Sequence, residues 1–262
     1  MVDTLVVKLI LTPALIGAAS LAGRHFGPAV GGWFVGFPMN SAPIALFLAL
    51  SHGPGFAAST ATGAMAGALS QAAFCLTWGG LAGRNRRWPV ALAGASAAFG
   101  ISTAALQFVA LPPVALFVVV VAGLVIAAWL MPGVDGRARR AAPAPNWDLP
   151  ARMIVATTFV IALTAAAAAL GPRLTGLLSP FPLYGAVLAG FAHAIDGPAS
   201  ATAVLRGLLL GLFSFASFFL VLAVTLEQWG IAPAFGTALA VTVVVQGGAL
   251  WCIRSRARAA TA

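Results

Sequence analysis

Apolar residues run along this chain in blocks of about twenty, each cut off by charges or by Gly-Pro punctuation. The blocks cover residues 4–22, 27–51, 56–78, 88–107, 110–131, 151–170, 172–195, 198–223 and 231–252. A run of roughly 18 or more such residues crosses a hydrocarbon core of ~30 Å. The pattern therefore predicts an all-α polytopic membrane protein of about nine transmembrane helices, spans 1 to 9. The opening residues Met1-Val2-Asp3-Thr4 carry no positive charge, which speaks against span 1 as a cleaved signal peptide.

Composition agrees: 61% of the 262 residues are apolar and 7% charged, where a soluble domain would have about a quarter charged. Cys75 and Cys252 lie far apart inside apolar blocks and form neither a metal-ligand spacing nor a disulfide framework. The acids are Asp3, Asp135, Asp148, Asp196 and Glu227. They make no pair at helical spacing, and the chain has no His-Glu-x-x-His, no Gly-x-Ser-x-Gly and no phosphate-cradling Gly-Lys loop. An enzyme is not expected, nor a metal, nor another cofactor.

The net charge of +9 comes in short clusters and makes no continuous basic domain, so a nucleic acid partner is not expected. The clusters read as topology. In a nine-span chain, Arg24, Arg84, Arg86, Arg87, Arg137, Arg139, Arg140, Arg152, Arg254, Arg256 and Arg258 share one side, against Lys8 and Arg173 on the other. The positive-inside rule then predicts an N-terminus outside and a C-terminus in the cytoplasm, in the inner (plasma) membrane.

Sliding the sequence by 144 positions aligns Gly27-Pro28 with Gly171-Pro172, Phe37-Pro38 with Phe181-Pro182, and Gly53-Pro54 with Gly197-Pro198. Over residues 27–76, 17 of 50 positions are identical. Shared Gly-Pro punctuation fixes backbone geometry, so it marks an internal duplication. The second copy begins after five spans, an odd number, and so must enter the membrane from the opposite side. The expected organisation is an inverted repeat of spans 1–4 (residues 1–109) and spans 6–9 with a basic tail (151–262), joined by span 5 and a cytoplasmic loop (110–150). Inverted repeats of this kind are frequent in secondary transporters, whose substrate binds near the midplane between discontinuous helices.

Spans 2 and 7 carry proline clusters near their middles, at Pro38 and Pro43 and at Pro180, Pro182 and Gly185. Each proline removes a backbone donor, so both spans are expected to break there, with Asn40, Ser41 and Tyr184 as the polar side chains at the breaks. Counting from Pro198 places Arg206 near the midplane, where a guanidinium would match an anion or bond freed carbonyls of span 7. Gly63-x-x-x-Gly67 and Gly207-x-x-x-Gly211 recur at equivalent positions of spans 3 and 8. If these spans cross at the pseudo-two-fold axis, they bring Thr62, Thr202 and Arg206 to the cavity. His193 and Asp196, one turn apart, form a candidate proton- or ion-coupling pair, while Asp196 alone reads as a helix cap.

The function expected is a secondary transporter for a small organic or lipid-like anion. The alternatives are a channel or flippase-like carrier, and a non-transporting membrane subunit or assembly factor. The partners expected are the bilayer, the anionic substrate and, as an option, a second copy in a homodimer.

Overall fold

The structure, a computed structural model, describes residues 2–38, 41–133, 147–158 and 181–259. Among them the regular structure is helical: α1 (Val2–Phe26), α2 (Pro28–Val35), α3 (Ser41–His52), α4 (Pro54–Gly83), α5 (Trp88–Leu106) and α6 (Pro113–Leu130). A helix over 148–158, α7, follows, and then α8 (Leu183–Ile195), α9 (Pro198–Trp229) and α10 (Ile231–Ala259). Four helical segments, Trp88–Leu106, Pro113–Leu130, Pro198–Trp229 and Ile231–Trp251, are each long and apolar enough to cross a membrane. Ile101, Phe108, Trp129 and Val244 stand fully open on the bundle's outside. A bundle that exposes such side chains needs an apolar surround, and the chain is an α-helical membrane protein.

Glycine followed by proline starts three of the helices. Gly27, Gly53 and Gly197 hold φ of 99°, 88° and 94°, and Pro28, Pro54 and Pro198 occupy the first turns they introduce. Proline costs no hydrogen bond in a first turn, whose N–H groups have no intrahelical acceptor, and its fixed φ suits the helix. Positive φ before it is open to glycine at no steric cost.

α9 is the central helix, buried along most of its length between α2, α4, α6, α8 and α10. Its most extensive contact is with α4, and the two run antiparallel. Glu227, late in α9, reaches the start of α4 at Gly55, while Gly79, late in α4, and Arg206, early in α9, both meet Met131. α1 and α7 are antiparallel too, with Gly17 against Met153 and Arg24 against Asp148.

α2 lies across α9 at backbone distance. A Cβ at Gly32 would fall 1.8 Å from the Val204 carbonyl oxygen, and one at Gly207 would fall 1.8 Å from that of Ala29. One turn on, Gly36 and Gly211 meet Cα to Cα in the same way. The small residues of α9 are thus used against Gly32-x-x-x-Gly36 of α2, whereas nothing lies within 4 Å of a Cβ built on Gly63. The spans 3 and 8 expected to cross do pack together, as α4 and α9, but the glycines that permit close approach pair α9 with α2.

Candidate functional site

The helical path stops at Val35 and resumes at Ser41. Gly36 closes the end of α2 by donating to the Gly32 and Trp33 carbonyls, and Pro38 is buried in the gap. Proline explains the stop, since it offers no N–H to the carbonyl four residues back. Pro43 falls inside the first turn of α3, where that missing donor is harmless. Further along the chain, Phe181 and Pro182 are non-helical and α8 begins at Leu183, so Tyr184 and Gly185 belong to its first turn. Asn40 and Pro180 lie outside the described residues.

The end of α2 and the start of α8 come to one level of α9. The Leu208 carbonyl oxygen would lie 3.1 Å from a Cβ on Gly36, and the Leu208 side chain covers Gly185. Phe181 is wedged edge-on between Phe74 of α4 and Phe99 of α5, at centroid distances of 5.8 and 5.4 Å.

The end of α2 is tied to α10 by side-chain hydrogen bonds. The Gln246 side chain donates to the Trp33 carbonyl at 2.8 Å, and the Trp33 indole donates to the Gln246 carbonyl at 3.0 Å. The Ser214 hydroxyl of α9 sits between the Gln246 side-chain oxygen and the Gly211 carbonyl. An amide fits this place because it gives both a donor and an acceptor without a charge. Gln246 was legible only as a lone polar residue in an apolar block.

Arg206 does not face this level. Two residues along an α-helix turn it by roughly 200°, so Arg206 leaves α9 on the side opposite Leu208 and donates to the Met131 carbonyl at 2.8 Å, just past the C-terminus of α6. A cation is well placed there, against carbonyls that lack intrahelical partners. Thr202 and Thr62 bond the carbonyls of Pro198 and Ala58 in their own helices. Because α4 and α9 are antiparallel, Thr62 lies about four turns from the level of Arg206 and is not brought beside it. Ser41 is half-buried at the start of α3.

The end of the bundle that carries Arg24 and Arg152 holds a second cluster. The carboxylate of Asp148, fully buried, accepts from Arg24 Nη2 at 2.8 Å and from Arg152 Nε at 2.9 Å. The Arg152 guanidinium also lies 5.1 Å from the centre of the Phe191 ring. His193 is buried, with its Nδ1 3.4 Å from the Trp78 indole nitrogen. That contact makes Nδ1 the acceptor and leaves the neutral ring's proton on Nε2. Asp196, three residues on, is an exposed residue whose carboxyl is pushed above the ordinary carboxylate value by partial burial. Arg152 and Arg24 oppose the shift, and Asp148 adds to it. His193 and Asp196 are near one another in sequence but engage different partners. Among the described residues no group of three His, Cys, Asp or Glu side chains could hold a metal.

No family model, no curated protein and no solved structure matches the chain.

Proposed function

We propose that the chain is a secondary membrane transporter built as an inverted repeat of nine spans, with α2–α3 and the segment leading into α8 as its discontinuous helices. The observation that carries this reading is the antiparallel packing of α4 on α9. The duplication makes these two helices equivalents, so their opposed directions are what a repeat inverted across the membrane requires. The matched φ of Gly53 and Gly197 and the convergence of the end of α2 and the start of α8 on Leu208 support it further. In this reading the substrate site lies beside that convergence, and alternating access moves one copy against the other. Ser41, Tyr184 and the Trp33–Gln246–Ser214 network are its polar boundary.

The anionic class of substrate is proposed on the arginines at the cytoplasmic mouth, Arg206 among them. Purified protein in liposomes, challenged with gradients of small organic anions on a solid-supported membrane, should give saturable transient currents. Arg206→Gln should weaken them strongly by removing a cation from the mouth, and Arg206→Lys should weaken them less, because the fork geometry is lost while the charge stays. Wild-type currents from the Gln variant would leave Arg206 as the anchor of α6 and remove the anionic class. Ohmic, non-saturating currents would favour a channel, and no flux of any solute would favour the non-transporting subunit.

A further inference from the structure

We propose that Arg24, Asp148 and Arg152 form a latch that holds the cytoplasmic mouth closed in this structure, with Arg24 as the partner that lets go. The inference rests on the transporter reading, and concerns which contact must break for the mouth to open.

Both ion pairs among the described residues meet on the one carboxylate of Asp148. Arg24 ends α1, in the first copy, and Asp148 starts α7, the helix that leads into the second. The Arg24 contact therefore ties together the two units that an alternating-access movement must separate, whereas the Arg152 contact stays within α7, one turn along the same helix. The two guanidiniums also differ in access to water. The Arg24 side chain is 37% exposed and the Arg152 side chain 11%, over a carboxylate that is wholly buried. Arg152 is further held by the Phe191 ring. Arg24 alone can be rehydrated at small cost, leaving Asp148 paired to Arg152 rather than stranded. Asp196, at the end of α8, lies within electrostatic reach of both arginines. It offers a released Arg24 a second acceptor at the same mouth. Beneath the cluster the Trp78–His193 contact joins α4 of the first copy to α8 of the second.

The native Cys75, fully buried on α4 one turn from Trp78, is the reporter. In a Cys252→Ser background, inside-out vesicles are labelled with a membrane-impermeant maleimide from the cytoplasmic face. Cys75 should label slowly, Arg24→Gln should speed labelling by about tenfold or more, and Arg24→Lys should stay within about twofold of the background because the charge remains. Asp148→Asn should behave as Arg24→Gln; if it fails to fold, Arg24→Gln decides alone. Unchanged labelling in folded Arg24→Gln, or equal acceleration in the Lys variant, overturns the latch. So does exposure of a distant buried thiol, Ala238→Cys in α10 with Cys75 replaced by Ala, since that would signal general loosening. Labelling requires no substrate. Accelerated labelling in a protein that moves no solute would keep the latch and remove the transporter reading, while protected Cys75 in a protein with saturable flux would do the reverse.

Discussion

The crossing of α2 on α9 and the cluster around Asp148 join early and late parts of the chain by opposite means. The crossing is made of glycines and neutral amides: Gly32, Gly36, Gly207 and Gly211 at backbone contact, with Gln246 bonded to the Trp33 carbonyl. At the mouth, the join is made of full charges with water within reach of Arg24. Inside a bilayer, lipid competes as well as any apolar side chain, so association comes from close packing and hydrogen bonds that leave no group unpaired. Charges are affordable only where one partner can still be hydrated. Arg206 is met in another way: it leaves α9 near the crossing and donates to a backbone carbonyl at the end of α6.

The crossing should be the less forgiving region. Gly207→Leu places side-chain atoms where a Cβ alone would sit 1.8 Å from a carbonyl oxygen, and backbone cannot yield as a side chain does. We expect no monodisperse protein on size exclusion, at a cost at or above the ~3 kcal/mol upper range for overpacking. Gly63→Ala, with nothing within 4 Å of its Cβ, should elute as wild type. Equal behaviour of the two would break the distinction between the crossing and the rest of the bundle.

At the mouth, Asp148→Ala leaves Arg152, a buried cation, without its carboxylate. Thermal unfolding in detergent should show a loss of about 3 kcal/mol, against less than about 1 kcal/mol for Arg24→Gln, whose partner keeps Arg152. Gln246→Leu should cost about 0.5–1.5 kcal/mol through its lost bond to the Trp33 carbonyl, which keeps the Gly36 N–H, and Gln246→Glu, which loses the donor and adds a charge, should cost more. The smallest effect belongs to Asp196→Asn. Its carboxyl is raised on folding, so the ionised form opposes folding above the unfolded pKa, and the cost fades as pH falls through that value. The Asn variant should melt slightly higher than wild type at neutral pH, by less than about 1 kcal/mol, and the gap should close in acid.

Residues with a local mechanism were legible in the sequence. Gly27, Gly53 and Gly197 before proline foretold helix starts, and Pro38 foretold where the helical path stops, because both effects act within one turn. The side-chain partners were not legible. Arg24 and Asp148 stand 124 residues apart, and Trp33 and Gln246 stand 213 apart, so nothing in either neighbourhood marks the pairing. Arg206 was assigned by its depth, counted from Pro198, and by the expected crossing of spans 3 and 8. Its direction depends on which face of α9 the glycines claim, and Gly207 and Gly211 turn that face to α2.

The central claim is that the two copies enter the membrane from opposite sides, and it is tested most directly by the sidedness of the two Gly-Pro turns. In a background free of native thiols, His52→Cys beside Gly53 and Ala199→Cys beside Pro198 both place a thiol at an exposed position. With a membrane-impermeant maleimide, the thiol at position 52 should label in right-side-out vesicles and the thiol at 199 in inside-out vesicles. Labelling of both from the same side would contradict the inverted repeat, and with it the transporter built on it.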